Sequence, residues 1–134
     1  MKRNMYCGTD IIEVSRIKDA IINTKGFKEN VFTENEIKDI DNIKSDVKFQ
    51  RYAGRFAAKE AIYKAMSKIL IKNNLNANFL DVEVLNENKL NRRPCVVFLN
   101  EDILKLVKEN NINIDISISH VKEMAVATAI LTLS

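Results

Sequence analysis

The sequence predicts an α+β fold in which a mainly antiparallel sheet packs against a long central helix. Residues 46–72 carry apolar side chains at helical spacing on more than one side, which indicates a long and largely buried helix. In the last third of the chain, isoleucines alternate strictly with polar residues, a period of two that is typical of a strand with one buried face. The order of the predicted elements favours antiparallel pairing and places the chain in the α+β class.

The first predicted elements are a strand and two helices. Met5 to Asp10 is predicted to form a short strand that ends in a carboxylate, and Ile11 to about Asn23 a helix that stops near Gly26. A second helix is predicted to begin at Thr33, because Thr33 to Glu36 has the sequence of a capping box. In that motif the threonine side chain accepts from the amide three residues later, and the glutamate side chain accepts from the threonine amide.

The central helix is predicted to span about Asp46 to Lys72, and Gly54 is the position at which it would divide if it were two helices. Its apolar side chains from Ala58 to Ile69 form one stripe at helical spacing. Glu60 and Lys64 lie one turn apart and away from that stripe. The helix is therefore expected to carry a buried face and a separate charged pair.

The second half of the chain is predicted to be mainly β. The alternating isoleucine run gives one strand, and the apolar run after a short connection returns as its antiparallel neighbour. The predicted elements are strands at Val82–Leu85 and Cys95–Leu99, a helix at Glu101–Glu109 capped by Asn100, and strands at Ile112–Ser119 and Ala125–Leu133, with His120–Glu123 as the last connection.

Length and composition indicate a single domain, residues 1–134, with a core of its own. Apolar residues make up 46% of the chain, which excludes a disordered protein, and no run approaches the ~18 apolar residues of a membrane span. The N-terminal apolar stretch is too short for a signal peptide, so we expect a cytoplasmic protein with no membrane partner. Cys7 and Cys95 are expected to be buried thiols, and the single histidine, His120, excludes a Cys/His zinc site.

Asp10, Glu60 and Lys64 are the side chains whose chemistry suits phosphoryl transfer. Two carboxylates can hold Mg²⁺ when substrate phosphates and waters complete its octahedron, and a lysine adds a second positive contact to the same phosphates. The spacing of these residues is also compatible with a purely structural interpretation. In that interpretation Asp10 is a solvated carboxylate at a strand end, and Glu60 and Lys64 form an ion pair that stabilises the helix by roughly 0.2–0.5 kcal/mol. His120, taken alone, is more often a structural histidine than a ligand contact.

Three blocks of sequence, taken in order, resemble the small, trimeric holo-acyl-carrier-protein synthases of the 4′-phosphopantetheinyl transferase family. The blocks are Gly8–Glu13 followed by Arg16, Ala53–Ala61 followed by Lys64, and Ser117–Glu123. Phe32-Thr33 with Glu36 is a weaker fourth match. The order and spacing fit the family from end to end, so the resemblance covers nearly the whole chain.

The resemblance implies the 4′-phosphopantetheinyl transferase fold and a Mg²⁺-dependent transfer of 4′-phosphopantetheine from coenzyme A to a serine of an apo-acyl carrier protein, in fatty acid biosynthesis. It also implies a homotrimer with active sites at the subunit interfaces. Matched position by position, it assigns Asp10, Glu60 and Lys64 as catalytic residues, the two carboxylates as metal ligands and the lysine as a contact to the diphosphate. The further coenzyme A contacts that it implies are Arg55, Asn91, Arg93, Pro94 and His120, and the implied docking residue for the carrier protein is Arg16.

The sequence departs from the family pattern around the expected nucleotide pocket. Ser67 stands where the family has a glycine after the central Lys-Ala pair, and Lys68 to Asn74 replaces a glycine-bearing loop, so we expect a longer central helix. Arg92-Arg93 replaces the usual Gly-Lys before proline, and Thr9 stands where an aliphatic residue is common. None of these departures removes a proposed ligand.

Other functions are weighed against the transferase. An inactive relative would bind coenzyme A or a carrier protein without turnover; the altered segments favour it, and the intact Asp10, Glu60, Lys64 and His120 argue against it. The net charge of +3 permits a basic nucleic-acid-binding module, but the lysines are scattered and no aromatic-basic strip is present, so we expect no nucleic-acid partner. A transferase for polyketide or peptide-synthesis carriers would usually be a much longer, fused pseudo-dimer.

Overall fold

The computed structural model describes residues 4–86 and 93–134, which form an α+β fold as predicted. The elements are β1 Met5–Glu13, α1 Val14–Asn23, α2 Phe27–Val31, α3 Glu34–Asp41, α4 Val47–Lys72, a 3₁₀ turn at Phe79–Asp81, β2 Val82–Asn86, β3 Pro94–Phe98, α5 Glu101–Glu109, β4 Asn113–His120 and β5 Met124–Thr132. Within the described ranges, no helix is long and apolar enough to cross a membrane.

Two antiparallel sheets pack around α4. The larger sheet has the strand order β1-β5-β4, and β2 and β3 form a separate pair. Asp10 of β1 and Ile118 of β4 both lie opposite Ala127 of β5, which fixes the register of the larger sheet. Side chains on the inner face of that sheet are buried or half-buried against α4, and those on the outer face are mostly exposed. By strand alternation, Asp10 and His120 both lie on the inner face.

α4 is one helix of 26 residues that continues through Gly54. The glycine is a packing feature and not a break, because a Cβ atom there would lie 2.9 Å from Ile118 Cγ2 and 3.9 Å from a ring carbon of His120. Small residues serve the same purpose further along, where Ala57, Ala58 and Ala61 have no solvent exposure. The helix can therefore lie close to the sheet, and it is buried on several sides, as the sequence predicts.

Gly8 on β1 makes the closest approach to α4. A Cβ atom at Gly8 would lie 2.1 Å from the Ala61 carbonyl oxygen and 2.8 Å from the Ala65 nitrogen, which are backbone atoms that cannot rotate away. Only glycine allows the strand and the helix to meet at this distance. The contact lies two residues before Asp10 and in the same turn as Lys64, so it also sets the position of charged side chains.

We expect Gly8→Ala to lower the free energy of unfolding by about 3 kcal/mol or more, because overpacking against backbone forces the strand and helix apart. Gly54→Ala is the comparison variant: its new methyl group would meet the Ile118 side chain at 2.9 Å, not backbone, and alanine has about 1 kcal/mol better helix propensity, so we expect a smaller loss of stability. Chemical denaturation of both variants measures the difference. Equal stability of Gly8→Ala and the unmodified protein would contradict the close strand–helix packing.

A buried ion pair joins α3 to α4. Lys59 Nζ lies 2.7 Å from Glu36 Oε1, and both side chains have no solvent exposure. Lys59 also donates to the carbonyl oxygens of Val31 at 2.7 Å and Phe79 at 2.9 Å. Glu36 Oε2 accepts from the Val84 amide at 2.8 Å. The charges are therefore surrounded by hydrogen-bond partners, as buried charges require.

The capping box of α3 forms as predicted and is part of this network. Thr33 Oγ1 accepts from the Glu36 amide at 3.2 Å, and Glu36 Oε1 accepts from the Thr33 amide at 2.8 Å. Thr33 Oγ1 in turn donates to Glu83 Oε2 on β2. The motif that begins the helix thus also ties α3 to β2.

β1 is longer than predicted. The strand continues through Ile11 and Ile12 to Glu13, so the prediction that Asp10 closes the strand and that a helix begins at Ile11 is wrong. The three added residues pair with residues 124–126 of β5, and this pairing overrides the local helical pattern. Asp10 therefore lies inside a paired strand, and the residues before and after it both pair with β5.

Two other predictions need correction. Cys7 was expected to be buried, but it lies on the outer face of β1 and is exposed, while Cys95 is half-buried; both thiols are free. Gly26 was expected to stop α1, but α1 ends at Asn23 and Gly26 instead precedes α2, a helix that the sequence analysis did not predict. Gly26 has a φ of 84°, a conformation that favours glycine.

The second half of the chain follows the prediction closely. The helix capped by Asn100 spans Glu101–Glu109, and the Asn100 side chain accepts from the Asp102 and Ile103 amides. α4 runs to Lys72, as expected from the loss of the family's glycine at Ser67. Asn74 then takes a φ of 55°, a left-handed conformation that asparagine tolerates better than most residues.

Candidate active site

Asp10, Glu60 and Lys64 form a cluster, the carboxylate cluster, where β1 meets α4. Lys64 Nζ donates to the Thr9 carbonyl oxygen at 2.9 Å and lies 3.4 Å from Asp10 Oδ1. Glu60 lies one helical turn before Lys64 and lines an open cavity of about 570 Å³ with Tyr63. The three residues predicted to be catalytic are therefore brought together. Lys64 forms its ion pair with Asp10, across two elements, and the cluster is more than a pair along one helix face.

The two carboxylates of the cluster interact electrostatically. Burial raises the pKa of the Glu60 carboxyl, the charge of Asp10 raises this pKa further, and Lys64 lowers it. A hard cation would relieve the repulsion, and two carboxylates with waters and substrate phosphates suit Mg²⁺. The donor set thus fits the predicted metal. In the part of the chain that the structure describes, no group of three or more His, Cys, Asp or Glu residues could hold a metal ion, so further ligands would come from substrate and water.

Lys64 is free to reach a ligand. Its side chain is 56% exposed, whereas that of Asp10 is 17% exposed. An exposed lysine loses little when it exchanges one oxygen partner for another, because its surface ion pair contributes only about 0–1 kcal/mol. The same amine can therefore contact a substrate phosphate at the edge of the cluster.

A second cluster, the arginine pocket, lies nearer the start of α4. It is a cavity of about 130 Å³ whose charged or titratable lining residues are Arg51, Arg55 and His120. The other lining residues are Gly54, Asn86, Pro94 and Ile118. His120 Nδ1 lies 2.8 Å from Gln50 Oε1, which holds the ring at the end of β4. Three of the predicted coenzyme A contacts, Arg55, Pro94 and His120, are thus brought to one cavity.

Two arginines give the arginine pocket positive charge. Arg55 is buried, and Asp39 Oδ2 lies 3.8 Å from its Nη2. Within residues 4–86 and 93–134, Arg55 Nη1 and Arg51 Nε are buried without a hydrogen-bond partner. Burial lowers the pKa of the His120 imidazole, and the charge of Arg51 lowers it further, so the ring is mainly neutral at pH 7.

The remaining predicted contacts lie elsewhere. Arg93 is in an exposed ion pair with Asp115, with Nη2 2.7 Å from Oδ2, and lines a different cavity from Arg55. Pro94 lines both cavities, so the two are adjacent. Arg16 is exposed on α1 and lines neither the cavity beside Glu60 nor the arginine pocket. Asn91 lies outside the described residues.

The two clusters lie on different sides of α4. Arg51 and Lys64 are roughly 20 Å apart along the helix axis, whereas Arg55 and Glu60 are roughly 8 Å apart but differ by about 140° around it. In the larger sheet, Asp10 and His120 lie on β1 and β4, the outer strands, with β5 between them. One chain therefore does not bring all the predicted site residues into a single cavity.

Sequence reasoning missed Gln50, Arg51 and Tyr63. Arg51 lies one helical turn before Arg55, so the two guanidinium groups share a helix face, and this spacing is a signal that could have found it. Gln50 is recognisable only from its contact with His120, which is distant in sequence. Tyr63 lines the cavity beside Glu60, and burial raises its pKa to about 12.

Comparison with known proteins identifies the family. Residues 6–129 match the family described as the 4′-phosphopantetheinyl transferase superfamily. The chain belongs to this family. The match includes both clusters, so the residues of this transferase-family chain can be considered with the activity of its relatives.

Relatives in sequence and in structure span nearly the whole chain. The chain is 41% identical over 130 residues to a holo-[acyl-carrier-protein] synthase of Ruminiclostridium cellulolyticum, covering 96% of this chain and 92% of that one. A solved complex of a Bacillus anthracis holo-(acyl-carrier-protein) synthase with CoA (3′,5′-ADP) is 33% identical, with a TM-score of 0.75 and coverage of 98% and 100%. The Chronobacterium ammoniagenes ACPS-CoA complex is 26% identical, with a TM-score of 0.81 and coverage of 98% and 99%.

Proposed function

We propose that this chain is a holo-[acyl-carrier-protein] synthase, which transfers the 4′-phosphopantetheine arm of coenzyme A to a serine of an apo-acyl carrier protein in fatty acid biosynthesis. The observation that carries the proposal is the assembly of Asp10, Glu60 and Lys64 where β1 meets α4, in a member of this family. The activity of the relatives and their coenzyme A complexes support it. We expect the reaction to take place in the cytoplasm, as predicted from the sequence.

The transfer breaks one bond of the coenzyme A diphosphate. The carrier serine oxygen attacks the phosphorus that bears the pantetheine arm, the bond to the bridging oxygen breaks, and 3′,5′-ADP leaves with that oxygen. The serine proton passes to solvent or to a carboxylate of the site. Asp10 and Glu60 would hold Mg²⁺, which neutralises the charge that builds on a diphosphate as it breaks. Lys64 donates to the phosphate oxygens, so the chain acts mainly by positioning and charge stabilisation.

We infer that one coenzyme A molecule contacts both clusters and that two copies of the chain supply them. The diphosphate belongs at the carboxylate cluster, and the other phosphate of coenzyme A is separated from it by a single ribose. Arg55 and Glu60 are five residues apart on α4, a turn of about 140°, so the two clusters lie on different sides of the helix, and β5 separates Asp10 from His120 in the sheet. The carboxylate cluster of one subunit therefore acts with the arginine pocket of its neighbour, in line with the expected homotrimer.

The outer face of the larger sheet supports an assembly. Met5 and Ile11 of β1 are 57% and 62% exposed, and Ile130 of β5 is 46% exposed. Large apolar side chains that are grouped on one face, unlike single exposed ones, mark a surface that another protein covers. A second or third copy of this chain would cover it in the proposed trimer, and mass measurement by light scattering tests for three copies.

The family resemblance implies that Arg16 meets an acidic recognition helix of the carrier protein, which a reversed charge would repel. Arg16→Glu is therefore expected to raise the KM for the carrier protein about 10-fold and to leave the KM for coenzyme A unchanged. Lys108→Glu on α5 is the matched control, since it makes the same charge change elsewhere. Steady-state kinetics with each substrate varied in turn measure both constants. An unchanged carrier-protein KM in Arg16→Glu would rule out the docking role.

Mass spectrometry of an apo-acyl carrier protein tests the transfer itself. The carrier is incubated with this protein, coenzyme A and Mg²⁺, and in parallel with EDTA. We expect a mass gain of one phosphopantetheine that EDTA abolishes. A folded protein that binds coenzyme A but modifies none of several carriers would favour the inactive relative. The next variant to make would then restore the segment from Ser67 to Asn74 to the family pattern.

A further inference from the structure

Gln50 has no role in the transfer described above, yet it contacts His120, the only histidine of the chain. His120 Nδ1 lies 2.8 Å from Gln50 Oε1, although the two residues are 70 positions apart in sequence. Gln50 lies near the start of α4, and His120 is the last residue of β4. Both residues are half-buried, so the contact is partly shielded from water. It therefore constrains a ring that the family resemblance places among the substrate contacts.

The contact assigns the hydrogen on the imidazole ring. An amide oxygen can only accept, so Nδ1 of His120 carries the hydrogen and donates it to Gln50 Oε1. A neutral imidazole carries one hydrogen, which leaves Nε2 as an acceptor, and only the imidazolium donates from both nitrogens. Gln50 accepts from the ring in either state, and the hydrogen bond from the charged ring is the stronger of the two.

The edge of the ring that carries Nε2 faces the arginine pocket. Cδ2, the carbon next to Nε2, would lie 3.9 Å from a Cβ atom at Gly54, and both Gly54 and His120 line that pocket. Among the residues that the structure describes, the charged side chains that share the pocket with the ring are Arg51 and Arg55 of α4. From β2 and β3 the pocket receives groups that do not titrate, Asn86 and Pro94.

These surroundings make the protonation of the ring depend on a bound anion. Burial and the charge of Arg51 lower the pKa of the His120 imidazole, so the chain alone favours the neutral ring. A neutral ring would turn the lone pair of Nε2 toward a phosphate oxygen, which is also an acceptor. The charge of a phosphate monoester favours the imidazolium instead, whose Nε2–H can donate to that oxygen. The next charged residues along the chain, Lys122 and Glu123, are exposed in the connection to β5.

We propose that Gln50 is a positioning residue: it holds Nδ1–H of His120 and keeps Nε2 directed into the arginine pocket, so that the ring binds a phosphate of coenzyme A as the imidazolium, with uptake of a proton. The inference rests on the proposed function for the identity of the substrate. The proton comes from solvent and stays on the ring until the phosphate leaves. Gln50 acts through His120 and not by contact with the reacting atoms.

The single histidine allows a direct test by NMR, without substrate or turnover. The ¹⁵N signals of the imidazole show which nitrogen carries the hydrogen, and their pH titration gives the pKa. We expect the neutral ring of the unmodified protein to carry its hydrogen on Nδ1. Gln50→Leu removes the acceptor, so it should move the hydrogen toward Nε2 and lower the pKa of the ring. Gln50→Glu should keep the hydrogen on Nδ1 and raise this pKa, because a neighbouring carboxylate favours the imidazolium.

A neutral ring that carries its hydrogen on Nε2 in the unmodified protein would overturn the proposal. The same conclusion would follow if Gln50→Leu changed neither the position of the hydrogen nor the pKa, because a merely structural glutamine would affect only stability. Asn35→Leu, which removes an exposed amide from α3, is the matched control and should leave the histidine signals unchanged.

Calorimetric titration with 3′,5′-ADP, in buffers that differ in their heat of ionisation, counts the protons taken up on binding. We expect net uptake at about pH 7.5, where a phosphate monoester is almost fully ionised. Affinity should fall as the pH rises through the range between the pKa of the ring in the unliganded protein and that in the complex. Gln50→Leu should bind about 10-fold more weakly and take up fewer protons. Binding by the unmodified protein without proton uptake contradicts the proposal.

Steady-state kinetics separate this role from a loss of folded protein. Gln50→Leu should raise the KM for coenzyme A about 10-fold and leave kcat nearly unchanged, because the contact acts on binding. Partial unfolding would lower kcat and leave KM unchanged, and that result is evidence against a positioning role. A protein that modifies no carrier, but has the hydrogen on Nδ1 and a proton uptake that depends on Gln50, would disprove the transfer and retain the role of Gln50.

Discussion

Glu60→Gln is expected to lower kcat/KM for carrier-protein modification by roughly 100- to 1,000-fold. The amide keeps the size of the side chain but is a poor ligand for Mg²⁺, and a catalytic metal supplies several kcal/mol of transition-state stabilisation, at about 1.4 kcal/mol for each factor of ten. The fold should not suffer, because burial and Asp10 already disfavour the charged form of Glu60. Transfer rates measured over a Mg²⁺ titration, together with thermal unfolding, check both expectations.

Asp10→Asn should show a similar loss, since it removes the other proposed ligand. Glu13→Gln is the matched control, because it neutralises an exposed carboxylate on the same strand. We expect the control to keep normal activity and the two site variants to need more Mg²⁺ for whatever activity is left. Full activity of either site variant would exclude that residue as an essential metal ligand.

Lys59→Met is expected to lower the free energy of unfolding by about 3–5 kcal/mol, which is a large part of the stability of a typical domain. The substitution leaves the charge of Glu36 buried and removes the donor to the Val31 and Phe79 carbonyl oxygens. Methionine fills most of the same volume, so the loss arises from the charge and the hydrogen bonds. Chemical denaturation at pH 7 measures it.

The double variant Lys59→Met/Glu36→Gln separates these causes. Glutamine can still accept from the Thr33 amide and has no charge, so the double variant should be less unstable than the sum of the single changes predicts, by about 1–3 kcal/mol. Lys38→Met, an exposed lysine on α3, should leave stability nearly unchanged. Strict additivity of the two buried substitutions would show that the Lys59–Glu36 pair is not energetically coupled.

Elements with strong local signals were predictable from the sequence. The α3 capping box, the Asn100 cap of α5 and the alternation of β4 each depend on residues close together in the chain. The end of β1 was not predictable, because Ile11 to Glu13 are held in the sheet by pairing with β5, more than a hundred residues later. The unbroken course of α4 through Gly54 likewise depends on the side chains of β4 that pack against the glycine.

The candidate site also contains residues that local sequence predicts and residues that only the fold reveals. Glu60, Lys64 and Arg55 lie in one sequence block, so the family resemblance found them together. The contact of Gln50 with His120, and the lack of a hydrogen-bond partner for Arg51 Nε among the described residues, depend on which groups surround them in the fold, and spacing alone does not reveal this. The resemblance implied active sites at subunit interfaces, but it did not indicate which predicted residues belong to which of the two clusters. That division follows from the length of α4 and the strand order of the sheet.

We propose that the carboxylate cluster of one subunit acts with the arginine pocket of its neighbour, and complementation between two inactive variants tests this most directly. Glu60→Gln and Arg55→Gln should each have less than about one hundredth of normal activity alone. If the two are refolded together, random assembly of trimers gives about one quarter of the interfaces two intact halves, and about one quarter of the normal activity should return. Activity that stays at the level of the single variants, although mass spectrometry shows mixed trimers, would contradict the claim.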